Sequence, residues 1–274
     1  PLRPARELAA LLQSKQVSAV EMLDAHLERI ERYNPRLNAI VTLDAERARR
    51  EARAIDARRA RGETLGPFAG LPIAVKDMEP TAGMRTTLGS TIYRDWIPDA
   101  DSLLVARLRA HGMIVAGKTN TPEFAMGAQT FNRVFGATRN PWNPERTCGG
   151  SSGGAAVATA MYMMPFADGS DLGGSLRNPG NFNHVFGLRP SPGRVPAFPS
   201  KNHWIGMSVL GPIARTAADA AFLLAAMAGE DRRAPLAIAE DPARFLRPLD
   251  RDFRGVRVAY SRTLGGLPVD RDVA

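Results

Sequence analysis

Two glycine-flanked serines are the residues of this chain best suited to nucleophilic chemistry. Ser151 lies in the stretch Cys148–Gly154, "CGGSSGG", and Ser175 lies further along in "DGSDLGGSLRNPG". Glycines at 173 and 174 allow successive backbone N–H groups to face one point, which is how proteins hold an oxyanion. A serine hydroxyl is a poor nucleophile by itself and needs a base. The sequence therefore has to supply a base from elsewhere in the chain.

Lys76 is a candidate for that base. The chain uses arginine in preference to lysine, and its only lysines are Lys15, Lys76, Lys118 and Lys201. Lys76 follows the apolar run "LPIAV", where we predict a buried strand from Leu71 to Val75 that stops at the lysine. Burial disfavours the ammonium form and lowers the pKa of lysine, whereas arginine keeps its proton. Taken alone, a surface lysine that closes a strand is the commoner arrangement.

Histidine-based catalysis has weaker support. The four histidines are His26, His111, His184 and His203. The first two lie within or beside predicted helices and are expected to be structural or exposed. A Ser-His-Asp triad would use His184 or His203, and we prefer a lysine base to it. Composition alone also leaves Ser152 as an alternative to Ser151.

The stretch Gly112–Thr119 matches the phosphate-loop pattern G-x-x-x-x-G-K-[ST] in its letters. In a true phosphate loop the middle residues form a loop after a strand, and a helix begins at the lysine. Here the middle residues are predicted to be the strand itself, Gly112 is placed to end a helix, and Pro122 follows closely. We therefore expect no nucleotide site at this stretch.

The elements around these residues alternate between helices and short apolar strands. Ser18 and Glu21 form a capping box that opens a helix with Val20, Leu23, Leu27 and Ile30 on one face, and a second helix ends at Gly62. Further helices are predicted at about Ser102–His111, after Ser151 and at about Thr216–Ala228, and further strands at Met113–Ala116 and Met163–Ala167. This alternation predicts a three-layer α/β/α sandwich around a mixed, largely parallel sheet. Sites in such sheets gather at the carboxyl ends of strands, where Lys76 is placed.

Composition narrows the classes of partner. A chain of 274 residues with 44% hydrophobic residues is typical of a globular protein, and its net charge of +8 comes almost wholly from arginine. The densest charged run, Glu46–Arg61, alternates signs on a helical pattern, so we expect a solvated face and no nucleic-acid partner. The longest apolar stretch, Ala155–Ala167, is too short to span a membrane. The single cysteine, Cys148, excludes an internal disulfide and favours a cytoplasmic location. A homo-oligomer is compatible with this composition.

Five stretches, in this order, resemble the amidase signature family: "GPFAGLPIAVKD", "GKTNTPEFAMG", "TRNPWNPERTCGGSSGGAA", "ADGSDLGGSLRNPG" and "GLRPSPGRVP". They cover roughly residues 65–215, and the tail "VRVAYSRTLGGLPVD" is also similar. The resemblance implies a single amidase domain over 1–274, with an N-terminal helical part at about 1–62 and a core at about 65–215. Resembling proteins continue well beyond residue 274, so we expect a truncated C-terminal part and a sheet that ends on an exposed apolar edge. Because residue 1 is proline, a leader before it is also compatible with the sequence.

The resemblance also implies a role for each matching residue. Ser175 matches the nucleophile that forms the acyl-enzyme, Ser151 the bridging serine and Lys76 the base of a Ser-Ser-Lys triad. The backbone of Leu172, Gly173, Gly174 and Ser175 matches the oxyanion hole, and Ala125 and Met126 match a stretch that lines the acyl pocket, although ordinary packing explains those two nearly as well. The implied reaction is hydrolysis of a small-molecule carboxamide, without a metal or an organic cofactor.

Three structural expectations accompany these roles. The family places a cis peptide before the bridging serine, so we expect Gly150–Ser151 to be cis. Asp171 and Arg177 flank the nucleophile loop, and we expect them to form a structural ion pair. Cys148 is expected to be a packing residue beside the serine loop.

The residues leave three functions open. The first is a stand-alone amidase, and the second is the glutaminase subunit of a tRNA-dependent amidotransferase, which passes ammonia to a partner. The third is a non-catalytic scaffold, if this chain cannot complete the fold. The presence of Lys76, Ser151 and Ser175 favours a hydrolase.

Overall fold

The computed structural model describes residues 1–200 and 202–271. Its helices are α1 (Ala5–Gln13), α2 (Ala19–Leu37), α3 (Ala45–Ala60), α4 (Leu103–Ala110), α5 (Gly153–Ala160), α6 (Arg177–Phe182) and α7 (Ala217–Met227). Its strands are β1 (Ile40–Leu43), β2 (Pro72–Lys76), β3 (Ile114–Thr119), β4 (Phe131–Asn132), β5 (Gly136–Ala137), β6 (Phe166–Asp171), β7 (Phe186–Gly187) and β8 (Val209–Ala214). Short 3₁₀ helices lie at Thr91–Tyr93, Glu123–Ala125 and Pro242–Leu246.

The main sheet has six strands in the order β1-β3-β2-β6-β8-β7, and β4 and β5 form a separate hairpin. Strands β3, β2 and β6 are parallel neighbours, whereas β1, β8 and β7 join by antiparallel pairing. It follows that β7 points the same way as the three central strands. The predicted mixed, largely parallel sheet is confirmed. The N-terminal part, which we expected to be helical, also contributes the edge strand β1.

Apolar packing covers both faces of this sheet. Adjacent residues of a strand point to opposite faces, and the neighbours Phe166 and Ala167 belong to different buried clusters. The larger cluster contains Phe166 together with Ala214 and residues of α7. The smaller one joins Ala167 and Ile213 to α5. This arrangement is the predicted three-layer sandwich.

Helix ends agree with the predictions to within one or two residues, because they carry local signals. Ser18 and Glu21 form the reciprocal capping box at the start of α2, and Ser102 caps α4 with its side chain. Gly62 follows α3 with a φ of +79°. On α3 the buried side chains are Ala48, Ala52 and Ile55, and most of the arginines face solvent or neighbouring carboxylates, whereas Arg59 donates to the carbonyl of Ala69.

Two strand boundaries were predicted wrongly. The strand predicted at Met163–Ala167 instead spans Phe166–Asp171, because Pro165 has no N–H to give to the sheet and the polar residues after Ala167 remain paired with β8. The strand predicted to end at Ala116 continues to Thr119, since it pairs with β2 throughout. Most of the phosphate-loop-like stretch is therefore strand, as we expected.

Helix α5 approaches the sheet closely because Gly154 has no side chain. A Cβ at this position would lie 2.3 Å from the backbone N of Asn120 and 2.6 Å from the carbonyl oxygen of Ala39. We expect Gly154→Ala to lower the free energy of unfolding by about 1–3 kcal/mol, the usual cost of overpacking, or more because the obstructing atoms are backbone. Urea unfolding of this variant measures the loss.

Gly66→Ala is the control for that measurement, because a Cβ at Gly66 would have no atom within 4 Å. Its unfolding midpoint should stay close to that of the parent chain. An equal loss in both variants would contradict the packing argument.

Exposed apolar side chains lie at both edges of the sheet and in the C-terminal segment. Phe186 on the edge strand β7 is 44% exposed and Leu43 on the opposite edge strand β1 is 42% exposed, so the truncated apolar edge stays a prediction. Near the C-terminus, Val258, Tyr260 and Leu264 are each about four-fifths exposed. None of the helices described here combines the length and the hydropathy that a membrane crossing requires.

Candidate active site

Lys76 lies at the carboxyl end of the central strand β2 and is completely buried. Its Nζ lies 2.7 Å from Oγ of Ser151, 3.0 Å from Oγ of Ser152 and 3.0 Å from Oγ of Ser170. The predicted pairing of Lys76 with Ser151 is thus present in the structure. Three hydroxyl groups surround an amine that has no access to solvent.

Burial determines the charge of this amine. Removal from water lowers the pKa of Lys76 to about 7, and the nearby carboxylates Asp168, Glu79 and Asp171 act in the opposite direction. A substantial fraction of Lys76 is then neutral near neutral pH. A neutral amine has a lone pair that can accept a proton from one of the surrounding hydroxyls.

The loop that carries Ser151 reaches Lys76 through close backbone packing. The Gly150–Ser151 peptide bond is cis, as predicted. A Cβ at Gly150 would lie 2.9 Å from the backbone of Gln129, so only glycine fits there. The next residue, Ser152, is the N-cap of α5, and its N–H donates to the carbonyl of Ser175 at 3.2 Å. This bond joins the two serine loops directly.

Ser175 lies in the turn that follows β6, and Asp171 anchors that turn. The Asp171 carboxylate accepts the N–H groups of Gly174 at 2.8 Å and Leu176 at 3.1 Å. Arg177 donates to both carboxylate oxygens at 3.0 Å, and Arg189 adds a contact at 3.1 Å. Burial acts to raise the pKa of Asp171, but these donors together hold it well below its usual range. The predicted Asp171–Arg177 ion pair is confirmed.

The backbone conformation of this turn requires glycine at one of its two glycine positions. Gly174 has a φ of +118°, and a Cβ there would lie 2.8 Å from the side-chain amide of Asn178. Gly173 faces open space, with no atom within 4 Å of a Cβ. Because the N–H of Gly174 is engaged with Asp171, the free donors of the turn are those of Leu172, Gly173 and Ser175, for which the described residues offer no acceptor.

A cavity of about 420 Å³ opens over the two serine loops. Of the residues predicted for the site, it is lined by Ala125, Met126, Ser151, Leu172, Gly173 and Ser175. Lys76, Gly174 and Ser152 do not line it. This difference favours Ser151 over Ser152 as the serine that meets a ligand, although both hydroxyls contact Lys76. No histidine of the described residues lines the cavity.

The predicted contact between the hydroxyls of Ser151 and Ser175 is not formed as a hydrogen bond in the structure. Within residues 1–200 and 202–271, no hydrogen bond joins the hydroxyls of Ser151 and Ser175, although both face the same cavity. Ser175 is partly exposed, whereas Ser151 is almost fully buried. The contact between Lys76 and Ser151 is therefore formed, and the contact between the two serine hydroxyls stays a prediction.

Sequence reasoning missed several residues of this site. Ser170, which contacts Lys76 and lines the cavity, lies in the strand directly before the turn that carries Ser175, where the strand end was predicted wrongly. The other cavity-lining residues that it missed are Met78, Glu79, Phe124, Gly127, Ala128, Gly150, Asn178, Ser208 and Leu210. Met78 follows Lys76 by two residues, so its position just after the strand could have indicated that it belongs to the site. Ser208 is far away in the sequence, and no sequence pattern indicated it.

Cys148 is completely buried behind the serine loop, and burial raises the pKa of its thiol to about 12. Its Sγ contacts the carbonyl of Thr138. A thiol in this state is a packing group, as predicted, and does not compete with serine as a nucleophile.

Solved structures of known enzymes share this fold. A bacterial aryl acylamidase of the amidase signature enzymes superposes with a TM-score of 0.84 at 35% sequence identity, over 87% of this chain and 50% of that one. The peptide amidase of Stenotrophomonas maltophilia gives a TM-score of 0.77 at 35% identity, over 86% of this chain and 50% of that one.

Curated sequences show a closer likeness. A glutamyl-tRNA(Gln) amidotransferase subunit of Acidothermus cellulolyticus is 45% identical over 99% of this chain and 54% of its own length. The subunit of the same name from Moorella thermoacetica is 42% identical over 98% of this chain and 55% of its own length. The chain thus spans about half the length of the curated relatives it matches. The family model described as Amidase matches residues 21–274. On this match, and on the fold and loops described above, the chain belongs to the amidase signature family.

Proposed function

We propose that this protein hydrolyses a carboxamide bond through a Ser-Ser-Lys triad and an acyl-enzyme intermediate. The observation that carries the proposal is the buried Lys76 Nζ at 2.7 Å from the Ser151 hydroxyl, in a site that opens on the same cavity as Ser175. A lysine pKa of about 7 fits a general base that works near neutral pH.

The proposed reaction is a relay of protons. Neutral Lys76 accepts the proton of Ser151 while Ser151 accepts the proton of Ser175, and Oγ of Ser175 attacks the amide carbonyl carbon. The ammonium on Lys76 then returns a proton through Ser151 to the leaving amine as the C–N bond breaks. Water repeats the sequence on the ester of Ser175 and releases the carboxylic acid.

The turn after β6 supplies the oxyanion hole in this proposal. The N–H groups of Leu172, Gly173 and Ser175 have no acceptor among the described residues and lie in the turn that carries the nucleophile. Donors that are held before the reaction stabilise the tetrahedral oxyanion at no cost of reorganisation. Asp171 holds the shape of the turn from behind through Gly174 and Leu176.

The cavity wall favours a substrate with an apolar acyl part. Phe124, Met126, Leu172 and Leu210 lie on the wall around Ser175. Ala125 and Met126 also line this cavity, which supports the acyl-pocket role that the resemblance implies for them. We propose small amides as substrates, processed in the cytoplasm, where the free thiol of Cys148 is stable.

A second candidate function is that of the glutaminase subunit of a tRNA-dependent amidotransferase. It is supported by relatives of 40–45% identity that are named as subunits of glutamyl-tRNA(Gln) amidotransferase. In that function the same serine releases ammonia from glutamine, and a partner subunit consumes it. The two candidates share the chemistry of the triad and differ in substrate and partner.

One assay separates these candidates. The protein is offered aliphatic, aryl and amino-acid amides, with hydroxylamine present to trap the acyl group as a hydroxamate. Hydroxamate from simple amides by the protein alone supports the stand-alone amidase. Ammonia from glutamine only when a partner subunit is present supports the amidotransferase. A folded protein that forms no adduct on Ser175 with any amide, or with a fluorophosphonate, would refute both.

The pH dependence of the reaction follows from the proposed base. Only neutral Lys76 can accept a proton, so the rate of Ser175 acylation should rise about tenfold per pH unit below about 7 and level off above it. This rising part of the pH profile is its acid limb. If Lys76 were in water, the acid limb would extend to the unperturbed lysine pKa of about 10.4. The rate of Ser175 labelling by a fluorophosphonate, followed by mass spectrometry from pH 5 to 10, measures the limb. A rate that still rises tenfold per unit at pH 9 would contradict a neutral buried lysine.

A further inference from the structure

Asp168 is a buried carboxylate directly behind Lys76. It lies on β6, is completely inaccessible to solvent, and its Oδ1 accepts the backbone N–H of Lys76 at 2.8 Å. Its Oδ2 is also buried and has no hydrogen-bond partner among the described residues. An unpartnered buried carboxylate oxygen is costly, and such groups call for an explanation.

Other charged groups face this position, and each has partners of its own. From the segment after β2, Asp77 accepts from Thr87, and Glu79 accepts from Ser102 at 2.7 Å. From β3, Lys118 donates to the carbonyl of Glu79 and to Thr81. Asp171 also acts on Lys76 and is bonded to Arg177 and Arg189, whereas Asp101 acts on Lys118 and accepts the backbone N–H of Ala82. Helix α5 brings no charged side chain.

The ionisation of Asp168 and that of Lys76 influence one another. Burial, together with the charge of Glu79, raises the pKa of Asp168 to about 7, while Lys118 and Lys76 oppose the rise. Among the nearby carboxylates, Asp168 has the largest effect in raising the pKa of Lys76. No ion pair within 4.0 Å joins the two side chains in the described part of the chain. Asp168 therefore acts on the lysine through its field and through the backbone.

We propose that Asp168 is a positioning residue for Lys76, which fixes the end of β2 through the backbone and supplies the negative charge against which Lys76 gains its proton. The inference rests on the proposed function, in which Lys76 is the base. During the attack, the Ser175 proton moves to Ser151 and the Ser151 proton moves to Lys76, so that an ammonium forms in a buried site. In its ionised form, Asp168 stabilises this new charge, and it exchanges no proton in the step.

Asp168→Asn tests the proposal, because the amide keeps an oxygen for the Lys76 N–H and loses the charge. The readout is the pH profile of Ser175 labelling by a fluorophosphonate, which needs no knowledge of the natural substrate. Without the carboxylate, the ammonium of Lys76 is less stable and its pKa falls further. We expect the acid limb to move to lower pH by about one unit. The plateau rate should also fall, by roughly tenfold, because the developing ammonium loses its counter-charge.

Asp219→Asn is the matched control. Asp219 is equally buried, its Oδ1 accepts the backbone N–H of Arg6 at 3.0 Å, and its Oδ2 also lacks a partner among the described residues. It lies on α7, away from the cavity. This variant should lose a similar amount of stability and keep the acid limb of the parent protein.

The outcomes separate this inference from the proposed function. An unshifted limb in Asp168→Asn, or an equal shift in Asp219→Asn, would overturn the role of Asp168 while leaving Lys76 as the base. Asp168→Ser, with a smaller neutral side chain, replaces the asparagine variant if that one does not fold. Failure of both to fold would assign Asp168 a purely structural role and so overturn the proposal. Full labelling in Lys76→Ala would instead refute the proposed function itself.

Discussion

Ser175→Ala is expected to abolish acyl-enzyme formation and to reduce amide hydrolysis to background. The substitution removes the proposed attacking atom, and neither Ser152 nor Cys148 is placed to replace it. Ser152 does not line the cavity, and the thiol of Cys148 is buried with its pKa raised to about 12. The measurement is mass spectrometry of the protein after incubation with a fluorophosphonate or with an amide substrate.

The fold of this variant should be intact, because the described residues show no hydrogen bond made by the Ser175 hydroxyl, and its carbonyl still accepts the N–H of Ser152. An unchanged thermal midpoint confirms that the loss is chemical. An adduct that appears on Ser152 or Cys148 in the parent protein would refute the assignment of Ser175.

Lys76→Ala is expected to cost nearly as much activity as Ser175→Ala. Neither serine ionises by itself near neutral pH, and the described residues place no histidine in the cavity that could act instead. Ser151→Ala should be milder, with a loss of about 10²–10⁴-fold, because a water at the vacated hydroxyl position can relay the proton. Members of one proton chain are not additive, so the double variant should be little worse than Lys76→Ala alone. Comparison of kcat/KM for these variants on one amide checks the order.

Lys118→Met is the control for the loss of a buried lysine. Lys118 is as completely buried as Lys76, but its Nζ bonds to Glu79 and Thr81 and does not reach the cavity serines. This variant should lose stability and still label Ser175 at a measurable rate. Full activity of Lys76→Ala at neutral pH would show that another group is the base.

Local signals explain why much of the fold was predictable. Capping residues such as Ser18 and Ser102 mark helix starts within a few residues of sequence, and the helix bounds agree accordingly. Strand β1 was missed, because four residues that are mostly partly exposed carry no strong alternation. The end of β6 was missed for a different reason. Its last residues are polar, and they are buried only because β8, far along the chain, pairs with them.

The sequence by itself determined the chemical groups of the site: two serines in glycine-rich turns, a lysine after an apolar strand, and an aspartate–arginine pair around the nucleophile turn. These groups depend on residue type and on short spacings, which a sequence shows directly. The tertiary structure decided which groups meet and in what state of charge. Parallel pairing of β2 with β6 sets Lys76 beside Asp168, and the amine is buried among the hydroxyls of Ser151, Ser152 and Ser170, which lowers its pKa. Desolvation and long-range contact depend on segments about 90 residues apart, so no local pattern in the sequence encodes them.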